Sequence, residues 1–140
     1  MITINLIADA RVALVWLRAK FGPNDEMHIQ QAVSLYKKVN EIVTADRKVG
    51  RQETGGEVSP IPAMSGPTSR SATPNLPIQI NISSLNSIQE LEELSKVLKL
   101  GKVDAINRAL AVYAYLAKER SYGAQVVFQD ESGRNKELEF

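Results

Sequence analysis

The chain contains one short pattern twice. The segment ITINL, residues 2–6, returns as IQINI, residues 78–82, and each copy is followed by two stretches with helical periodicity. With a one-residue gap after the strand, identical residues coincide in the two copies, as in Leu17 with Leu94, Ile29 with Ile106, Ala32 with Ala109 and Tyr36 with Tyr113. Such a repeat indicates two similar units that bury their apolar faces against each other.

Composition excludes several classes of site. The 140 residues are 44% apolar and 24% charged, with a formal net charge of +1, which is ordinary for a globular protein. Cysteine is absent, so disulfides, thiolate zinc sites and a cysteine nucleophile are excluded, and the single histidine leaves little for an imidazole-based site. Asp9 and Arg11 interrupt the apolar N-terminal stretch, so we expect neither a signal peptide nor a membrane span, and a cytoplasmic location.

The first copy predicts a strand and two helices. Apolar residues alternate with other residues in 2–6, the period of a strand with one apolar face. A helix is predicted over 10–21 with Asp9 as its N-cap, and a second over 25–45 with Asn24 as its N-cap. The aromatic residues in the helical stretches are interpreted as core residues: Trp16, Phe21, Tyr36 and Tyr113. The helix that contains Trp16 is apolar around much of its circumference, which also fits an additional interface.

The domain boundaries follow from changes in composition. Residues 1–49 form the first module, and residues 50–76, rich in Gly, Pro, Ser and Thr, are interpreted as a flexible linker. Residues 77–122 form the second module. Residues 123–140 predict a C-terminal β-hairpin in which Gly133 supplies a positive φ.

The second copy predicts a strand at 78–82 and helices over 87–99 and 102–120. A unit of about 45 residues with one strand leaves backbone groups unpaired and buries too little surface to be stable alone. We therefore expect a fold that is mainly α with short β, in which the two modules pair their strands as a two-stranded antiparallel ribbon on a helical core, with the hairpin added. Pairing within one chain and pairing between chains in a homodimer are both open.

The second module resembles the ribbon-helix-helix family of DNA-binding regulators, which includes Arc and MetJ. The resemblance covers residues 77–120 and rests on PIQINIS, ELEELSKVLKLGK and VDAINRALAVYAYL, which match the family's strand, first helix, turn and second helix. The first module is similar through ITINL and IQQAVSLY, so the chain resembles members with two tandem modules. The resemblance implies a sequence-specific transcriptional regulator whose ribbon enters the major groove of double-stranded DNA.

The resemblance also assigns site residues by position. It implies that four polar residues of the two strands read bases: Thr3, Asn5, Gln79 and Asn81. It places a DNA phosphate at the start of the second module's second helix, at Gly101 and Lys102. In the first module Asp25 and Glu26 occupy that turn and repel a phosphate, so this module is expected to contribute less to DNA contact.

Other interpretations stay open for these residues. Asn5 and Asn81 also fit solvent-facing positions on half-exposed strands, Lys102 fits a solvated surface position, and His28 fits a structural or surface role. Since neither strand carries Arg or Lys, an alternative function is a protein-interaction or assembly module with a ribbon-helix-helix fold that has lost DNA binding. An antitoxin-like autoregulator with a protein partner is a further alternative.

No catalytic constellation is evident, and we expect a protein that is not an enzyme and that uses no cofactor or metal. Glu90, Glu92 and Glu93 lie near a predicted helix start, where acidic residues stabilise the helix dipole, and are better explained that way than as an acid/base pair. The glycines at 55 and 56 are not followed by the Lys-Ser/Thr of a phosphate-binding loop.

Overall fold

Helices make up most of the structure. The computed structural model describes residues 2–6, 8–61, 76–80 and 85–140. Over these ranges the elements, in chain order, are β1 (Ile2–Leu6), α1 (Ala8–Phe21), α2 (Asp25–Thr44), β2 (Val49–Gln52), β3 (Val58–Pro60), β4 (Leu76–Ile80), α3 (Leu85–Leu98), α4 (Lys102–Ser121), β5 (Val126–Gln129) and β6 (Asn135–Glu137). The fold is mainly α with short antiparallel strands, which confirms that part of the expected fold class.

The helix boundaries follow local backbone chemistry. Asn24 is the N-cap of α2, as predicted, and its side-chain oxygen accepts a hydrogen bond from the Met27 N–H at 3.1 Å. The Asp9 cap prediction is wrong, because α1 begins at Ala8 and Asp9 therefore lies inside its first turn. Gly22 adopts φ +103°, a conformation that ends α1 at no steric cost to a residue without Cβ.

The four described helices interlock across the two copies. α2 packs against α4, and the first helix of each copy lies on the second helix of the other, α1 on α4 and α3 on α2. Their apolar faces form one cluster that includes Leu14, Leu17, Tyr36, Val39, Leu94, Ile106, Leu110, Tyr113 and Leu116. Tyr36 and Tyr113 are buried as predicted, Trp16 is partly buried against the cluster, and the prediction for Phe21 is wrong because it is 49% exposed.

The strands form two separate pairings in the described residues. β1 pairs antiparallel with β4 as a two-stranded ribbon within the chain, and β3, β2, β5 and β6 form, in that order, an antiparallel second sheet. β4 starts two residues before the predicted strand, and residues 81–84 lie outside the described part. The C-terminal hairpin is confirmed as β5 and β6, and Gly133 has φ +83°.

The linker prediction is wrong for residues 50–61, because β2 and β3 lie there, and for Leu76, which begins β4. Residues 62–75 of the predicted linker lie outside the described part of the chain. Composition misled because the turn between these strands is itself rich in Gly and Thr. Glu53 and Gly56 close that turn, with the Gly56 N–H donating to the Glu53 carbonyl at 2.9 Å. β2 also pairs with β5, so the segment belongs to the folded unit.

The repeat therefore extends well beyond a strand and two helices. α3, α4, β5 and β6 begin and end 77 residues after α1, α2, β2 and β3, as Ala8 and Leu85 show for α1 and α3. We define the first unit as β1, α1, α2, β2 and β3, and the second unit as β4, α3, α4, β5 and β6.

An approximate two-fold axis relates the two units. Across β2 and β5 the Gln52 N–H donates to the Gln125 carbonyl at 2.9 Å, and the Gln129 N–H donates to the Lys48 carbonyl at 2.8 Å. These are equivalent bonds in opposite directions. The hairpin glycines Gly56 and Gly133 also share φ +83°.

Candidate nucleic-acid interface

The ribbon brings the predicted base-reading residues of two distant segments together. Thr3 lies opposite Gln79, and Asn5 lies opposite Pro77. Because residues directly opposite in an antiparallel pair share a face and alternate residues return to it, these four residues belong to one face of the ribbon. The fourth predicted reader, Asn81, lies outside the described residues.

The other face of the ribbon carries its apolar residues. Ile2 lies opposite Ile80, Ile4 opposite Ile78 and Leu6 opposite Leu76. β1 contacts α1 and α4, so the ribbon is carried by the helical core. Because successive residues of a strand alternate between its two faces, the register alone assigns these residues to the face opposite Thr3 and Gln79.

The start of α4 is the second predicted part of the site. Gly101 is its N-cap with φ −65° and ψ 160°, and it provides no capping side chain. Gly101 and Lys102 are exposed, and the Lys102 Nζ lies 3.6 Å from a Glu92 carboxylate oxygen. An uncapped helix N-terminus presents N–H groups and the positive end of the helix dipole, which together favour an anion.

At the equivalent start of α2, side chains of the protein already occupy the N-terminal turn. Asn24 caps the first turn, and the next residue, Asp25, accepts hydrogen bonds from the Arg18 Nε at 2.7 Å and Nη2 at 2.5 Å. The bond to Asp25 raises the pKa of Arg18, so the pair holds its charges. A carboxylate at this turn satisfies the helix dipole and opposes a second anion.

The remaining candidates do not form a site. The His28 side chain is buried, with its Nε2 2.7 Å from the Gly22 carbonyl oxygen, a structural contact that joins α2 to the preceding turn. The described residues contain no group of three or more His, Cys, Asp or Glu placed to hold a metal ion.

The helix-dipole interpretation of three glutamates is wrong. α3 begins at Leu85, and its first turn contains no acidic residue. Each glutamate instead contacts another side chain: Glu90 with Ser34, Glu92 with Lys102, and Glu93 with Lys37.

None of the helices in the described residues is both long and apolar enough to cross a membrane. Comparison of the chain with protein-family models, with curated proteins and with solved structures finds no match. The geometry of the ribbon and of the two helix starts is therefore the basis for a functional conclusion.

Proposed function

We propose that this chain is a sequence-specific DNA-binding regulator of the tandem ribbon-helix-helix type, which places the ribbon in the major groove. The observation that carries the proposal is the register of β1 and β4, which puts Thr3, Asn5 and Gln79 on one face. The major groove is about 12 Å wide and admits a two-stranded ribbon, so a polar face on paired strands can reach base edges.

The residue types suit base recognition. Asn and Gln side chains both donate and accept hydrogen bonds, and each forms a bidentate contact with adenine that discriminates against other bases by roughly 1–3 kcal/mol. Threonine adds a hydroxyl for hydrogen bonding and a methyl for contact with thymine. Since β1 and β4 differ in sequence, the preferred DNA site is expected to be non-palindromic.

The two helix starts support an uneven grip on the DNA backbone. At α4, Gly101 and Lys102 leave an exposed turn that suits a phosphate, whereas Asp25 closes the equivalent turn of α2. A phosphate contact at α4 alone would fix the orientation of the ribbon in the groove, because backbone contacts position a protein while base contacts specify the sequence.

Selection from sheared genomic DNA at near-physiological salt tests base reading. The chain is expected to enrich a short motif, and the Thr3→Ala/Asn5→Ala/Gln79→Ala variant is expected to lose the enrichment while keeping its helical circular dichroism. Gln125→Ala is the matched control, because Gln125 is an exposed amide beside the second sheet. Equal enrichment by the triple variant would refute the proposal.

Lys102→Ala tests the phosphate contact. Binding should weaken to a similar extent on every DNA sequence, and the slope of log K against log salt should become shallower by about 0.9, the value for one neutralised phosphate. Lys48→Ala removes an equal charge from an exposed position before β2 and should change binding little. A slope unchanged by Lys102→Ala would remove this residue from the interface.

A second candidate function, protein interaction or assembly, is favoured by the outer face of α1. Val12 and Val15 are 59% and 56% exposed, whereas the equivalent residues of α3 are the polar Gln89 and Glu92. Monomeric proteins rarely expose large contiguous apolar patches, and larger exposed patches often mark sites of protein interaction. A folded chain that enriches no DNA motif but retains a partner through α1 would support this function, and pull-downs without a partner would count against it.

A further inference from the structure

The two units meet at two equivalent helix contacts that use different chemistry. Between α2 and α3, the Lys37 ammonium pairs with the Glu93 carboxylate, and the Ser34 hydroxyl donates to the Glu90 carboxylate. The bond to Glu93 raises the pKa of Lys37, and the same bond lowers that of Glu93, so both groups are charged at neutral pH. This contact is polar.

The contact between α1 and α4 occupies the two-fold-related place. Its equivalent positions carry apolar side chains, and the Lys118 ammonium of α4 lies 5.6 Å from the centroid of the Trp16 ring. The equivalents of Lys37 and Glu93 are Ala114 and Trp16, and the equivalents of Ser34 and Glu90 are Ala111 and Ala13. Ala13 and Ala114 are buried, and Trp16 is partly buried against the core. These side chains cannot form the ion pair or the hydrogen bond of the other contact.

The second sheet shows the same difference. The Arg51 guanidinium of β2 lies 3.3 Å from the Glu119 carboxylate of α4, which joins the first unit to the second. The equivalent residues are Phe128 of β5 and Ile42 of α2, both apolar. At both the helix contact and the second sheet, polar residues of the first unit pair with polar residues of the second, whereas the two-fold-related positions carry apolar residues.

We propose that these polar bridges select unlike pairing, so that a first unit associates with a second unit and not with another first unit. In a pair of two first units, Lys37 would meet Trp16 and Arg51 would meet Ile42. In a pair of two second units, Glu93 would meet Ala114 and Glu119 would meet Phe128. Both like pairs lose the Lys37–Glu93 and Arg51–Glu119 bridges, while Arg51 keeps its pair with Glu53 of the same unit. The lost bridges leave charged groups beside apolar ones.

Unlike pairing determines what the ribbon presents. Every ribbon then contains one β1 and one β4, whether the units belong to one chain or to two. This consequence for DNA reading rests on the proposed function, whereas the pairing rule itself does not, and it can be measured without DNA.

Cysteine crosslinking in the full chain measures the pairing. The sequence has no cysteine, and Thr3 and Gln79 are opposite each other in the ribbon at two-fold-equivalent positions. Pairing of two first units places the two cysteines of Thr3→Cys chains directly opposite each other and so favours an interchain disulfide, and Gln79→Cys reports two second units in the same way. The Thr3→Cys/Gln79→Cys chain is the control, because unlike pairing joins its two cysteines.

The chains are unfolded, refolded at low salt and oxidised. A protein concentration of roughly 0.5 mM approaches the effective concentration of a tethered partner, so like pairing can compete. We expect only a small crosslinked fraction in the single-cysteine native chains. Adding Lys37→Glu, which opposes Glu93 only in unlike pairs, should raise the crosslinked fraction of Thr3→Cys about threefold or more, the size expected for reversing an exposed ion pair.

The matched control is Lys37→Glu with Glu93→Lys, which restores opposite charges and should return the crosslinked fraction to the native level. A second variant, Lys37→Ala/Glu93→Ala/Arg51→Phe/Glu119→Ile, replaces all four bridge residues with apolar ones and should also raise the crosslinked fraction of Thr3→Cys. Helical circular dichroism confirms folding in each case. The proposal is overturned if neither Lys37→Glu nor the fourfold apolar variant, each folded, crosslinks through Thr3→Cys more than the native chain does.

Discussion

Equivalent leucines in the two units should contribute equally to stability. Leu17 of α1 and Leu94 of α3 occupy two-fold-related positions and are 0% and 1% exposed. Replacing either with alanine removes about three buried carbon atoms, about 2.4 kcal/mol of transfer free energy at roughly 0.8 kcal/mol each. The cavity left behind adds to this, so each substitution should lower the free energy of unfolding by about 3–4 kcal/mol.

Urea unfolding followed by two probes measures the effect. Far-ultraviolet circular dichroism follows all helices, while fluorescence of the single tryptophan, Trp16, follows the first unit. Both probes should give one midpoint in each variant, because Leu17 and Leu94 belong to one apolar cluster and a shared core unfolds cooperatively. The m-value should stay unchanged. Val97→Ala is the control, since Val97 is 62% exposed on α3 and should change stability by less than about 0.5 kcal/mol.

One result would refute this reasoning. If Leu94→Ala lowers the midpoint by circular dichroism while the Trp16 fluorescence midpoint stays at its native value, the units unfold independently. The shared core, and with it the pairing of the two units, would then be wrong.

Two further predictions concern the C-terminal hairpin. Gly133→Ala should lower the free energy of unfolding by about 1–2 kcal/mol, because Gly133 has φ +83° and the space around it is open, so that only the backbone conformation opposes a Cβ. Gly55→Ala, also in open space but without a positive φ, should have little effect. Urea unfolding of both variants measures the difference. Hydrogen bonds from the Ser132 hydroxyl and the Arg134 N–H lower the pKa of Asp130 from 3.8 to about 2. The ionised Asp130 carboxylate therefore contributes stability above about pH 4, and this contribution is lost as the pH falls to about 2. The melting temperature of the native chain should drop more over this range than that of Asp130→Asn.

The helices and the ribbon could be predicted because their information is local. The alternation of residues 2–6 and the apolar stripes of α3 and α4 identify strand and helix from neighbouring residues alone. Asn24 shows the same for a helix start. The boundary errors at Asp9 and at the start of β4 amount to one or two residues, which local patterns rarely resolve.

The second sheet is not evident from the composition of residues 49–61 but follows from the repeat. Residues 49–61, VGRQETGGEVSPI, lack strong alternation and contain turn residues, so composition alone predicts a linker. They align with VVFQDESGRNKEL at 126–138, the segment recognised as a hairpin, with Val49, Gln52 and Gly56 matching Val126, Gln129 and Gly133. Extending the alignment past α2 would have predicted β2 and β3.

The amino-acid sequence by itself determined the helices, the alternating strands, the two-fold repeat and the polar positions that alternate with apolar ones in the strands, because periodicity and residue chemistry are properties of short segments. Tertiary structure decided the register that places Thr3 opposite Gln79, the joining of four strands into the second sheet, and the meeting of Lys37 with Glu93 across 56 positions of the chain. These features depend on which surfaces approach one another once the apolar faces are buried. The packing of the core selects that arrangement, and no local pattern specifies it.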